Sequence, residues 1–195
     1  MQRENTAQTI AALGKLADLW QSRLDDANGW TPPQGSAFPW AQVRSSLAAL
    51  LPGMRGAGAW VKRAAPNGGG ASPKIVTVVL AGNTPLLAWS PLCACLLAGA
   101  ETVRVKLSRD ESVWTRLFVD DLRTIAPEVA ARIELYDFPG ADERTYALLT
   151  GADAVIAYGS DDAIAALQAR MPPAVPIFGY GHAVSVIIVS EGATS

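Results

Sequence analysis

The sequence has 195 residues, 50% of them hydrophobic and only 17% charged, with a mean hydropathy of +0.19; that composition excludes intrinsic disorder and leaves enough chain to bury a core. With 16 Lys and Arg against 18 Asp and Glu, and no basic stripe, the net charge of -2 excludes the electrostatic footprint of a nucleic-acid binder. The one membrane-like stretch, Val76 to Ala100, is uncharged but interrupted by Gly82, Asn83, Pro85 and Pro91, so no membrane span is expected.

The N-terminal residues Met1 to Asn5 lead into a polar-punctuated segment without the apolar core and small-residue cleavage site of a secretory signal. Cys93 and Cys95 stand two apart in a Leu/Ala-rich run, where neither a helix nor a strand lets them bridge. A cytoplasmic location with two reduced, buried thiols is therefore expected. Thr6 to Asp26 carries Ile10, Leu13, Leu16, Ala17, Leu19, Trp20 and Leu24 at mostly three-to-four spacing and reads as an amphipathic helix ended by Asn28-Gly29. A turn-rich connection from Thr31 to Pro39 follows, then a second helix from Trp40 to Leu51, stopped by Pro52-Gly53. Ala65 to Pro73 contains three consecutive glycines, with no clear strand before it and no Gly-Lys-Ser/Thr after it, so it reads as a linker rather than a phosphate cradle.

Beyond the linker, apolar runs at Ile75–Leu80, Thr102–Val105, Arg132–Tyr136, Ala154–Ala157, Val175–Phe178 and Val184–Val189 alternate with helical stretches. Those stretches are Leu86–Ala98, Glu111–Ile125, Glu143–Leu149 and Asp161–Arg170. Near-continuous Val/Ile runs mark strands covered on both faces. The expected organisation is thus an N-terminal helical segment (1–64), a linker (65–73) and an α/β domain (74–195) with a Rossmann-like, doubly wound parallel sheet.

In such sheets ligands sit beyond the carboxyl ends of the strands. The residues found there are Gly82-Asn83-Thr84-Pro85, Lys106-Leu107-Ser108-Arg109, Tyr158-Gly159-Ser160-Asp161 and Gly179-Tyr180-Gly181-His182. In order and spacing these segments resemble the cofactor-binding half of the aldehyde dehydrogenase superfamily, and most closely its LuxC-like branch of fatty acyl-CoA reductases. The resemblance runs from about Lys74 to Val189 and rests on the Asn-x-Pro turn, the strand ending in Lys106, the Gly159-Ser160 turn and Tyr180-Gly181-His182.

The resemblance implies an NADPH-dependent acyl-CoA reductase that forms aldehyde through a cysteine thioester. Asn83 would lend its amide to an oxyanion, although the same residue also suits a turn before Thr84-Pro85. Lys106, Ser108 and Arg109 would face the nucleotide. Arg109 stands where NAD-preferring relatives place a ribose-gripping glutamate, so its guanidinium points to NADP(H) over NAD(H) through a 2′-phosphate. Without the resemblance, Lys106 and Arg109 read as solvated surface charges. Gly159 and Ser160 would present a helix N-terminus to the pyrophosphate, or Ser160 is simply the N-cap. His182, the only histidine, reads either as part of the family motif or as a structural residue on a glycine-flanked path. Phe178-Gly179-Tyr180 lacks the carboxylate with which acyl-enzyme hydrolases activate water, a departure that fits reduction better than aldehyde oxidation.

The family's nucleophilic cysteine has no counterpart here, because Cys93 and Cys95 lie in an apolar helix that raises a thiol pKa. The chain accordingly reads as an N-terminal, cofactor-binding portion, with Val184–Val189 opening a catalytic domain; nicotinamide nucleotide and acyl-CoA are the partners of the complete enzyme, and no metal site is expected. The competing reading is a non-catalytic pseudoenzyme or partner-binding subunit that pairs through exposed sheet edge, as a homo-oligomer or with a catalytic half. A methyltransferase is disfavoured, since no Gly-x-Gly follows the first strand.

Overall fold

A computed structural model describes residues 2–26, 30–64, 72–139 and 142–181. Three helices come first: α1 (Gln2–Asp25), α2 (Trp40–Arg55) and α3 (Ala57–Ala64). Then follow β1 (Ile75–Val79), α4 (Trp89–Leu97), β2 (Thr102–Lys106), α5 (Ser112–Ile125), α6 (Pro127–Ala130), β3 (Ile133–Tyr136), α7 (Arg144–Leu149), β4 (Ala154–Tyr158), α8 (Asp161–Gln168) and β5 (Ile177–Tyr180). The strands form one parallel sheet in the order β3-β2-β1-β4-β5. The chain winds outward from β1 in one direction, then returns to the other side of β1, as a doubly wound sheet does.

Alternation along β1 explains why both faces are covered. Val76 and Val78 enter a large core with α1, α2, α4 and α5, whereas Ile75 and Val79 pack on a second cluster built from Leu149, Val155, Ile164 and Leu167. Between them, Thr77 is buried with its Oγ1 donating to the Leu148 carbonyl at 2.8 Å. Asp153, at the start of β4, accepts from the backbone N–H groups of Ile75 and Lys74, which hold its carboxyl below the usual range and set the register of β1 against β4.

The N-terminal helices share the large core. Leu13, Leu16, Ala17 and Trp20 form the buried face of α1 at helical spacing. Trp20 meets Trp30, Trp89 and Trp114 at ring separations of 5.3, 5.1 and 6.2 Å, so it joins α1 to α4 and α5. Arg23 extends the junction by pairing with Asp121 through both guanidinium nitrogens. Arg132 caps the other end of α4, donating to the Ala100 and Leu96 carbonyls at 2.8 and 2.9 Å.

Two expected boundaries are corrected. The second helix does not stop at Pro52-Gly53 but runs through to Arg55, because its buried face continues from Val43, Leu47 and Leu51 to Met54 and that burial outweighs one missing N–H donor. The fifth strand lies at Ile177–Tyr180 rather than Val175–Phe178, in the register that pairs Tyr158 with Tyr180. The linker glycines and the run Val184–Val189 fall outside the described residues. Among the described residues no helix is long and apolar enough to cross a membrane.

Candidate functional site

At the carboxyl edge, Val79, Lys106 and Tyr136 lie level on three neighbouring strands, and the chain leaving them walls a cleft of about 570 Å³. Its floor is Gly82, where the chain departs from β1. A Cβ placed there would stand 3.3 Å from Asp110 Oδ2 and 3.4 Å from Ser108 Oγ, a tight approach that glycine accommodates without displacing either side chain. The second wall is Lys106 to Ser112, a turn closed by the Ser112 N–H on the Ser108 carbonyl at 3.1 Å before α5 begins. Asp137, Phe138 and Pro139, just past β3, make the third.

The polar groups here are under-used. Lys106 is only 6% exposed; burial pulls its pKa down, and the Asp137 carboxylate partly restores it. Its ammonium lies 6.0 Å from the Phe138 ring centre, and the Arg144 guanidinium stands 4.7 Å from the same ring. Ser108 is 8% exposed and its hydroxyl has no hydrogen-bond partner among the described residues. Such a buried, unsatisfied group is uncommon, and among the described residues Trp20 Nε1, Arg104 Nε and Glu111 Oε1 share the state. Arg109 is exposed at the mouth and makes no ion pair among the described residues, while Asp137 is held by Arg116 at 2.6 Å.

Lys106, Ser108 and Arg109, expected from the sequence to act together, therefore line one cleft. Asn83 follows the floor glycine but is exposed and does not line it; its Oδ1 accepts from Thr84 Oγ1 at 3.5 Å. The loop that carries Asn83 passes through a left-handed conformation at buried Leu86, φ 59°, a strained geometry for a side-chain-bearing residue. Gly159 and Ser160 lie on the same sheet edge, beyond β1 at the end of β4. There the Gly159 N–H donates to the Tyr180 carbonyl at 3.3 Å and Ser160 Oγ accepts from the Ala163 N–H at 3.2 Å, which makes Ser160 the N-cap of α8. His182 lies outside the described residues.

Sequence reasoning passed over Asp110, Asp137 and Phe138. The same carboxyl-edge rule, applied after the third apolar run, would have found the last two. It also passed over Glu111, which is fully buried between α5 and the start of α4. One carboxylate oxygen accepts from Thr115 Oγ1, and the other faces the Ala88 N–H without closing a bond of ordinary geometry. Burial lifts its pKa to about 7 against those two donors.

Of the two thiols expected to be buried, Cys95 is buried and Cys93 half-buried, a setting that disfavours the thiolate at both. Burial pushes both thiols up to about 12, so the reactive thiolate is scarce at neutral pH. A second hollow of about 280 Å³, lined chiefly by apolar residues that include Leu13, Leu50, Met54, Trp60 and Cys93, separates α4 from α2 and α3.

Residues 61–195 match the family model described as acyl-CoA reductase (LuxC). No curated protein sequence matches the chain. Among solved structures, the NADP-dependent glyceraldehyde-3-phosphate dehydrogenase of Bacillus halodurans, complexed with NADP, is 17% identical with a TM-score of 0.68 over 91% of this chain and 40% of its own. The glyceraldehyde-3-phosphate dehydrogenase of Methanocaldococcus jannaschii, also with NADP, is 12% identical with a TM-score of 0.69 over 92% and 42%. An NAD-dependent aldehyde dehydrogenase from Sinorhizobium meliloti is 15% identical, with a TM-score of 0.66 over 91% and 38%. At these identities the likeness is one of fold, and the chain spans about two fifths of each structure.

Proposed function

The chain belongs to the acyl-CoA reductase (LuxC) family, and from that premise we propose that it supplies the nicotinamide-nucleotide site of an enzyme reducing an acyl-CoA thioester to aldehyde, with NADPH as the favoured cofactor. The observation that carries this reading is the buried, unpartnered Ser108 hydroxyl beside Lys106, above the Gly82 floor. A glycine cradle, an orphaned hydroxyl and a desolvated ammonium fit a sugar phosphate, which brings hydroxyls to accept and donate and an anion to neutralise.

A nicotinamide nucleotide held in this cleft would supply the hydride for reducing the thioester. Lys106 donates to ribose hydroxyls and Ser108 satisfies its hydroxyl on the same sugar. Arg109 pairs with a 2′-phosphate at the exposed mouth, where a guanidinium forms charge-assisted, two-pronged bonds. The N-terminus of α8, capped by Ser160 next to Gly159, lends its positive end to the pyrophosphate. Asn83 donates its amide to the substrate oxygen as that oxygen gains charge, an interaction stronger in the transition state than in the ground state. The acyl group is carried by a residue other than Cys93 or Cys95, whose thiols are too basic. Acyl-CoA is thus a partner of the complete enzyme.

Calorimetric titration of the chain with NADPH and with NADH tests this reading, together with Arg109→Glu. Saturable NADPH binding that the substitution weakens by about tenfold or more is expected; heat from neither nucleotide overturns it. With acyl-CoA and NADPH together the chain alone is expected to form no aldehyde.

A second reading, a subunit that pairs by its sheet edge with a second copy of the chain, draws on Phe178 and Tyr180, both more than half exposed on β5 at the end of the sheet order. Light scattering that finds a monomer at all concentrations would remove it.

A further inference from the structure

Arg109 is not the only charged residue of its turn that faces the cleft. Asp110 follows it, and its carboxylate reaches back across the opening to the floor: Oδ2 is 3.3 Å from the position a Cβ on Gly82 would take, and Ser108 Oγ is 3.4 Å from that same position. The carboxylate and the hydroxyl therefore converge on one spot above the Gly82 backbone. Among the described residues Asp110 has no hydrogen-bond or ion-pair partner, in contrast to Asp137 on the opposite wall, which Arg116 neutralises. Asp110 is thus an acceptor with both oxygens available, beside a hydroxyl that is buried and unsatisfied.

The chemistry of that spot is specific. A carboxylate only accepts, an ammonium only donates and a serine hydroxyl does either. Together Asp110, Lys106 and Ser108 match a vicinal diol, in which each hydroxyl gives a proton to the carboxylate while accepting from the ammonium. A phosphate monoester in the same place offers no proton to Asp110 at neutral pH and brings like charge against it. Arg109 favours the phosphate and Asp110 opposes it, so neighbouring residues of one turn pull selectivity in opposite directions.

We propose that Asp110 is a specificity-determining residue of this cleft, accepting a ribose hydroxyl of the bound dinucleotide and so keeping the site open to NAD(H) beside NADP(H). The proposal rests on the nucleotide reading above and adds to it the side chain that limits the preference for the 2′-phosphate.

The test is the ratio of NADPH to NADH affinity, measured by calorimetry on the native chain, Asp110→Asn and Asp110→Ala, at low and at high salt. An exposed, unpartnered side chain can be replaced with little effect on folding, which a melting curve of each variant verifies. The ratio is expected to move toward NADPH by about tenfold or more in Asp110→Ala, the range of a lost charged hydrogen bond, and by a smaller factor in Asp110→Asn, which loses the charge but keeps one acceptor. The loss on NADH persists at high salt because the contact is direct, whereas the gain on NADPH shrinks as charge is screened. An unchanged ratio in variants that still bind both nucleotides overturns the assignment of Asp110 alone. Failure of the native chain to bind either nucleotide overturns the underlying site and the proposal with it.

Discussion

The aromatic junction beneath α1 and the cleft at the ends of β1 to β3 are built from opposite materials. In the junction Trp20, Trp89 and Trp114 are buried against one another, Arg23 is paired with Asp121, and Trp114 Nε1 donates to Ser36 Oγ at 2.9 Å. In the cleft, among the described residues, a hydroxyl has no partner, an ammonium is desolvated and two exposed side chains of opposite charge stand side by side unpaired. The first arrangement is what close packing produces, with one buried donor, the Trp20 indole N–H, left over among the described residues. The second is one that the proposed nucleotide would complete. Removing side chains should therefore cost folding in one region and binding in the other.

The largest effect is expected at Trp20. Trp20→Ala should lower unfolding stability by about 3–5 kcal/mol in a urea titration, and nucleotide affinity should hold wherever the chain stays folded. Trp20 also buries an indole N–H with no acceptor among the described residues, so Trp20→Phe, which removes that orphan donor, should cost much less.

Glu111 comes next and sits between the two regions. Its carboxyl is raised from its ordinary 4.5 to about 7, so the folded chain holds a proton that the unfolded chain releases. Its contribution to stability is then greatest below about 4.5, falls as pH rises from there through 7 and levels off above. Glu111→Gln removes this dependence. Its melting temperature should exceed that of the native chain at pH 8 by an amount equivalent to about 2–3 kcal/mol, and the gap should close toward pH 5.

In the cleft the sign reverses. Lys106→Met should leave stability unchanged or slightly raised, since the ammonium is paid for in desolvation, while weakening nucleotide binding by about ten- to a hundredfold. Ser108→Ala should be the mildest, close to neutral in melting temperature and worth about 1 kcal/mol in affinity. A cleft variant that destabilises as Trp20→Ala does would erase the contrast between the regions.

How far the sequence foretold these regions follows from the range of the forces involved. The sheet was legible because strands covered on both faces must be apolar throughout, and the carboxyl-edge rule then located Lys106, Ser108 and Arg109 without any coordinates. The helix beyond Pro52 was not, because what carries it is the burial of Met54, a tertiary contact that overrides a local breaker. Asp110 was visible only as a neighbour of Arg109. That it lies over Gly82 depends on β1 and β2 pairing in one particular register. Glu111 reads as a polar residue at a helix start, and only packing reveals that α4 and α5 bury it.

The central claim is that the nucleotide lies in the cleft walled by Gly82, Lys106 to Asp110 and Phe138, and amide chemical-shift mapping of the 20.5 kDa chain during an NADPH titration tests it most directly. The account predicts saturable shifts concentrated at Gly82, Lys106, Ser108, Arg109, Asp110 and Phe138, reaching Ser160 at the start of α8. Shifts confined to the apolar hollow around Met54 and Trp60, or none at saturating nucleotide, would contradict it.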